Sequence, residues 1–500
     1  MDVIANLGLG FAVALTLQNI AYCFLGVLLG TVIGVLPGIG PVTTVAMLLP
    51  ISFTLQPESA LILLAGIYYG AQYGGSTTAI LVNIPGEASS VVTTIDGHQM
   101  ALKGRAGPAL GIAALASFFA GCVSTLLITF AAPPLAAIAL QFGPAEYFSL
   151  MVCGLIAAVV LAHGSLVKAI AMVVLGLLLG LVGTDVNSGA RRFNFGMTGL
   201  ADGIEFVALS MAIYGIAEVI CNLEKKLATS VVSDAVGRVW PSVADLKYCA
   251  GSILRGTGLG AILGVLPGGG ALLASFAAYT LEKNVAKPPR QFGQGDIRGV
   301  AAPEAANNAG AQTSFIPMLT LGIPPNAVMA LMVGAMTIKG IQPGPQVMTS
   351  NPQLFWGLIA SMWVGNAMLV VLNLPLIGMW IKLLTVPYRF LFPAITLFCC
   401  IGVYSLSNST FDVYLTAIFA FVGYVFYKLS VEPAPLLLGF ILGPMMEENL
   451  RRALLLSRGD WSTFVTRPLS SGLLIASVLL IVIVTLPAIR QKREVAFKEE

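Results

Sequence analysis

Charge is the scarcest commodity in this 500-residue sequence: Asp, Glu, Lys and Arg together make up 10%, against 57% hydrophobic residues. A soluble domain carries about 25% charged residues, so this balance excludes one, and the mean hydropathy of +0.90 points the same way. Histidine is nearly absent; His98 and His163 stand alone, outside any HExxH or metal-binding cluster. There is no GxSxG elbow, Walker loop or Cys/His ligand spacing, so no enzymatic activity and no cofactor is expected. Any uphill work must draw on an ion gradient or on another subunit. The seven cysteines lack disulfide or metal spacing and fall in apolar runs, as small buried hydrophobes do. Without a basic stripe, nucleic acid is not an expected partner. No Lys or Arg precedes Lys103, so the start lacks the basic region of a cleaved signal peptide.

What the sequence has in abundance is apolar runs. Roughly 20 apolar residues cross a bilayer, and runs of that kind fall at 20–36, 59–82, 106–133, 135–162, 165–183, 204–222, 250–266, 354–380, 390–406, 409–427 and 468–489. Shorter ones, at 41–56, 271–281, 303–322, 326–338 and 433–446, suit hairpin arms or tilted spans. The expectation is an all-α integral membrane protein, polytopic, with about 10 to 13 crossings and a lipid bilayer around it. The 54 glycines and 28 prolines are compatible with that where helices face protein or water.

The chain also repeats itself. GVLPGIG at 34–40 returns as GVLPGGG at 264–270, NIPGEA at 83–88 as GIPPNA at 322–327, and MALKGRAGP at 100–108 as MTIKGIQPGP at 336–345. This order predicts two membrane repeats, 1–222 and 250–500, joined by a linker at 223–249. Lys225, Lys226, Arg238, Lys247 and Arg255 place the loop 223–255 in the cytoplasm. Counting spans outward then puts the Lys103/Arg105 loop inside and its counterpart at Lys339 outside, so the repeats are expected to be inverted. One conflict stands: the loop 447–467 and the C-terminal tail are both basic, yet a single span separates them.

Duplicated helix breaks are the best sequence pointer to a transporter's binding site. Gly38 and Gly40, and Gly268, Gly269 and Gly270, precede helices whose starts expose N–H groups and a positive dipole end, a ready site for anions; Thr43 and Thr44 add hydroxyls to the first turn. The competing reading is a tight turn with close packing at small residues. After each break comes a polar cluster in apolar surroundings: Gln72, Tyr73, Gly74, Gly75, Ser76, Thr77, Thr78 and Asn83, then Asn307, Asn308, Gln312, Thr313 and Ser314. Unsatisfied polar groups in hydrocarbon cost several kcal/mol, so these face protein, water, substrate carboxylates or a coupling ion; interhelical hydrogen bonding is the alternative. Glu304, with Asn308 and Thr313, is a candidate for the coupling ion, Na+ or H+, or else a helix-terminal charge. Lys103 and Lys339 read as interfacial anchors more readily than as substrate partners. Glu146, His163 and Lys168 read as interfacial or structural, and Asp96, Gly97 and His98 as the start of a solvated polar loop.

GTVIGVLPGIGP (30–41), YYGAQYGGSTTAILVNIPGEA (68–88), DGHQMALKGRAGPAL (96–110) and PEAANNAGAQTSFIPMLTLGIP (303–324) resemble the large membrane subunit of tripartite tricarboxylate transporters, the TctA type. The resemblance implies a bacterial inner-membrane permease driven by an ion gradient. It also implies a small membrane subunit of the TctB type and a periplasmic solute-binding protein of the TctC type as partners, and carboxylates as substrates. A stand-alone carboxylate carrier or channel is the alternative, and a membrane scaffold a more distant one. The chain departs from the expected Ile-Pro-Gly in its second half, where Ile323-Pro324-Pro325 stands.

Overall fold

The computed structural model describes residues 3–36, 40–162, 165–185, 188–224, 239–268, 270–288, 290–384 and 388–485. It is built almost entirely of helices; the only strands among the described residues are the two-residue pair Gly183–Thr184 and Arg191–Arg192. The first half comprises α1 (Val3–Ala14), α2 (Leu17–Val35), α3 (Pro41–Ser52), α4 (Pro57–Val82), α5 (Val91–Leu102), α6 (Ala106–Ala139), α7 (Pro144–Leu161), α8 (Leu166–Gly180), α9 (Phe206–Ser210) and α10 (Ala217–Glu224). A π-helical turn, Met211–Ile216, joins the last two.

The second half comprises α11 (Val243–Val265), α12 (Gly270–Val285), α13 (Arg298–Thr313), α14 (Phe315–Leu321), α15 (Ala327–Ile338), α16 (Val347–Ser350), α17 (Pro352–Asn373), α18 (Ile377–Leu384), α19 (Tyr388–Ser407), α20 (Thr410–Lys428), α21 (Ala434–Leu456), α22 (Thr463–Thr466) and α23 (Pro468–Thr485). Five helices, α2, α6, α7, α17 and α20, are long and apolar enough to cross a membrane, and shorter apolar helices accompany them. The protein is an all-α polytopic membrane protein.

Some boundaries differ from those read off the sequence. Residues 106–139 form one 34-residue helix that runs through Pro133 and Pro134, so the expected break near 134 is absent. The cytoplasmic loop expected over 223–255 is shorter, because a Ser242–Asp245 capping box starts α11 at Val243 and takes Lys247 and Arg255 into the helix. Lys225, Lys226 and Arg238 lie outside the described residues.

The same two-helix unit is built twice. Gly26, Gly30 and Gly34 of α2 lie against the backbone of α4, and a Cβ on Gly30 would sit 2.3 Å from the Ile67 carbonyl oxygen. Gly256, Gly260 and Gly264 of α11 lie against α13 in the same manner, with a Cβ on Gly260 meeting the Ala306 carbonyl oxygen at 2.3 Å. Small residues every fourth position let membrane helices approach closely enough for dispersion to hold them. The partners α4 and α13 are central: every residue from Ser59 to Val82 and from Arg298 to Thr313 is buried. Each is also covered by a long helix from the other half, α4 by α17 and α13 by α6. Further out, α8 packs on α21, and α20 on the π-helical turn. The halves are therefore interleaved, and polar residues on the two central helices are shielded from lipid, as the cost of exposing them requires.

Candidate substrate cavity and its polar wall

The central helix α4 of the first half and α14, which follows α13 in the second, each end in a left-handed residue followed by Ile-Pro. In the first half α4 ends at Asn83 (φ 60°), and in the second α14 ends at Gly322 (φ 72°). Three residues beyond each lie Gly86 and Pro325, and then the residues that start the next helix, Glu87 and Asn326. Glu87 caps the 3-10 turn Ala88–Ser90 that runs into α5, and Asn326 caps α15 by accepting the Met329 N–H at 3.0 Å. A side chain at 86 has no room, since its Cβ would meet the Gly34 carbonyl oxygen and Gly75 Cα. Pro325 needs no such room; its carbonyl accepts the Gly268 N–H at 2.9 Å and ties this tip to the second GVLPGxG break.

These tips and both breaks surround one cavity of about 610 Å³. Five helix N-termini open on it: α3 at Gly40–Thr43, the turn into α5 at Glu87–Ser89, α12 at Gly270–Leu272, α15 at Asn326–Val328, and α21 at Pro433–Ala434. Each presents the positive end of a dipole and N–H groups without an intrahelical acceptor, although α21, with Pro433 and Pro435 at its start, offers only that of Ala434. Glu87, Glu218 and Glu432 also line the cavity, and no Lys or Arg does so among the described residues.

Behind one wall lies a buried polar network linking the halves. The Gln72 amide nitrogen, oriented toward its neighbours, donates to Glu87 Oε1 at 2.7 Å. Asn307 Nδ2 donates to the same oxygen at 3.3 Å, and the Ser89 hydroxyl contacts Glu87 and donates to Asn307 Oδ1 at 2.8 Å. One turn along α13, Glu304 is fully buried and accepts from Ser76 Oγ at 2.6 Å and from Thr93 Oγ1. Asn308 Nδ2 donates to Ser117 Oγ of α6 at 2.7 Å.

The candidates read from sequence therefore divide. Gly40, Thr43, Gly268 and Gly270 line the cavity, while Gly38 and Gly269 lie outside the described residues. Ser76, Glu304, Asn307 and Asn308 form the network behind it. Gly74 and Gly75 serve close packing, against Thr31 and Glu87 respectively, and Thr78 donates to the Val35 carbonyl at 2.6 Å. Gln312 bridges Thr125 and Asn366 deeper in the core. Thr313 and Ser314 turn their hydroxyls back to the carbonyls of Ala309 and Ala311, and Asn83 is an exposed helix cap away from the cavity. Thr77 lines a separate, much smaller cavity.

Several residues did not stand out in the sequence. Glu87 lies in the NIPGEA motif opposite Asn326, and the alignment of the two tips was the available signal. Glu218 and Glu432 come from distant segments and gave none. Asp96 overturns the expectation of a solvated loop: residues 91–102 are helical, and Asp96 is fully buried. Its Oδ1 accepts the N–H groups of Gly293, Gly295 and Asp296 at 2.9, 2.7 and 2.9 Å, and Oδ2 accepts the Tyr279 hydroxyl at 2.9 Å. Lys103 donates to the Gln294 carbonyl in the same loop, and Lys339 donates to the carbonyls of Phe53, at 2.8 Å, and Leu55. The matched lysines thus each fasten a loop of the opposite half. Glu146 pairs with Arg467 and caps α7 through the Gly143 N–H, and Lys168 donates to the Leu429 carbonyl at 2.6 Å; His163 lies outside the described residues.

A helical membrane protein with interleaved halves, broken helices and a cavity at the breaks has the architecture of a transport protein. The chain belongs to the tripartite tricarboxylate transporter TctA family, whose model matches residues 20–438. It is similar to an uncharacterised 52.8 kDa protein of the TAR-I ttuC' 3'region of Agrobacterium vitis, 59% identical over the full length of both chains. A second Agrobacterium vitis protein, from the TAR-II ttuC' 3'region, is 59% identical over 241 residues, all of its own length and 48% of this chain. No solved structure matches.

Proposed function

We propose that this chain is the transmembrane permease subunit of a binding-protein-dependent secondary transporter that takes up tricarboxylates or related carboxylates. Its substrate sits in the cavity between the halves, in the bacterial inner membrane, and a Na+ or H+ gradient drives it. The observation that carries this reading is the convergence of five helix N-termini from both halves on one cavity that no lysine or arginine lines among the described residues. Carboxylates are accepted by free N–H groups at helix starts, and dipole ends stabilise anions by about 0.3–1 kcal/mol each, more where partly buried.

The cavity's own carboxyls supply the reason for coupling. Two unit charges of like sign 4 Å apart repel by about 4 kcal/mol at an effective dielectric constant of 20. A multiply charged carboxylate beside Glu87, Glu218 and Glu432 therefore needs protons or cations to enter with it. Uptake is then linked to the ion by charge compensation. The halves, 1–222 and 250–500 around the cytoplasmic linker 223–249, have opposite orientations and expose the cavity to each side in turn. A small membrane subunit and a periplasmic solute-binding protein complete the system, the latter delivering substrate.

The test is uptake of labelled citrate into liposomes holding the full complex, under an imposed Na+ or proton gradient. Gradient-dependent accumulation is expected; uptake that ignores both gradients refutes the coupling.

A further inference from the structure

A second and much smaller cavity, of about 10 Å³, lies between α4, α6 and the end of α17. That volume is about one water-sized sphere. Its wall carries Tyr73, Ser76 and Thr77 from one face of α4, Ser117 from α6, and Asn373, the last residue of α17. Tyr73 and Asn373 are only 3% and 5% exposed, yet the Tyr73 hydroxyl and Asn373 Oδ1 have no hydrogen-bond partner among the described residues. Buried polar atoms are almost always satisfied, and each exception requires an explanation. Two exceptions on residues that line one small cavity share an explanation if something binds there.

The other two oxygens at the site are already polarised. Ser76 Oγ donates its proton to Glu304 at 2.6 Å. Ser117 Oγ accepts from Asn308 Nδ2 at 2.7 Å, and the same Asn308 amide donates to the Glu304 main-chain carbonyl at 3.1 Å. With its proton directed at the carboxylate, Ser76 Oγ keeps lone pairs for the cavity, and Ser117 Oγ keeps one beyond the bond it accepts.

We propose that this cavity binds one dehydrated Na+, ligated by Tyr73 Oη, Asn373 Oδ1, Ser76 Oγ and Ser117 Oγ, with Glu304 as the counter-charge behind the two serines. The proposal rests on the reading of the protein as an ion-coupled transporter and names the ion's site within it. Neutral oxygens alone suit a monovalent ion: Ca2+ and Mg2+ take carboxylates or waters directly, and zinc or copper sites use imidazole or thiolate. Glu304 belongs to none of the ion pairs among the described residues. A buried carboxylate without a counter-ion is costly, and a cation one hydroxyl away removes that cost. Glu304, Asn307 and Asn308 share α13, so the network reaches from this site to Glu87 in the large cavity. Occupancy of either site then shifts the affinity of the other, reciprocally.

The experiment measures radiolabelled sodium binding to the purified full complex without substrate, and citrate uptake by the same preparation under separate Na+ and proton gradients. Wild type should bind sodium saturably, displaced by unlabelled Na+ and not by K+. Tyr73→Phe, which removes only the hydroxyl, and Asn373→Ala should each weaken binding by about tenfold or more. Ser124→Ala, another buried hydroxyl without a partner but away from the cavity, should leave it unchanged. Wild-type binding by both Tyr73→Phe and Asn373→Ala, or no sodium binding by wild type (a buried water only), overturns the site. Proton-driven citrate uptake without sodium binding removes the site and keeps the transporter; sodium binding without citrate uptake under either gradient keeps the site and removes the transporter.

Discussion

The first half ends its central helix α4 with Asn83-Ile84-Pro85-Gly86-Glu87, and the second ends α14, the helix after its central α13, with Gly322-Ile323-Pro324-Pro325-Asn326. Both tips use a left-handed cap, an Ile-Pro turn and a helix start that faces the cavity, yet one presents a carboxyl and the other an amide. A second difference lies seven residues before the matched lysines: Asp96 receives three backbone N–H groups from the opposite half, and Met332, at the same distance before Lys339, is a buried apolar residue. The glycine stripes of α2 and α11, by contrast, do the same work on both sides. Close helix packing and the loop-fastening lysines are thus duplicated, while the carboxyls at 87 and 96 are not. Packing sets a frame that either half needs equally; ionisable groups are placed only where they have a task.

The largest expected effect tests that shared frame. Gly30→Leu and Gly260→Leu each drive a side chain into a carbonyl oxygen 2.3 Å from the Cβ, and overpacking costs about 1–3 kcal/mol or more. Both variants should fail to give monodisperse protein on gel filtration; tolerance in one half alone would break the equivalence. The tips come next. Glu87→Gln removes a charged acceptor of buried hydrogen bonds worth about 1.5–3 kcal/mol, so citrate uptake should fall about tenfold to a hundredfold. Asn326→Ala loses a helix cap of about 1 kcal/mol and should lower uptake a few-fold at most, with the complex still assembled. Equal losses in the two would contradict the division of labour.

Asp96→Asn should lower the thermal stability by about 1.5–3 kcal/mol, because the neutral amide is a weaker acceptor for the backbone groups of the loop. Met332→Leu, volume-conserving at the matching position, should cost less than about 1.5 kcal/mol. The smallest effects concern the lysines that fasten opposite loops. Lys339, partly buried, should cost about 1–2 kcal/mol when replaced by Ala, and exposed Lys103 less than about 1 kcal/mol; melting curves in one detergent compare them directly.

Much of this organisation was legible in the sequence because helix breaks are written in Gly and Pro, which few other contexts in a membrane helix tolerate. The heptapeptide pair located both cavity-lining breaks, at Gly40 and at Gly268 and Gly270, and the polar clusters located the two buried central helices. Which of those polar residues reach the network was not legible. Thr313 and Ser314 bond carbonyls of their own turns, an option that every helical Ser or Thr has, and spacing does not separate these from Ser76, which reaches Glu304. Asp96 and its neighbours read as solvated because the loop that satisfies them lies almost 200 residues away. Glu218, on α10, and Glu432, in the connection before α21, are brought to the cavity by tertiary packing alone.

The central claim is that the meeting point of the two breaks holds the substrate. A structure of the full complex saturated with a tricarboxylate and Na+ tests it most directly. The account predicts ligand density in the cavity of about 610 Å³, with carboxylates at the helix starts around Val42–Thr43, Ala271–Leu272 and Ala327–Val328. Density confined to another cavity, such as the one lined by Gln342, Gln346 and Arg452, would contradict it.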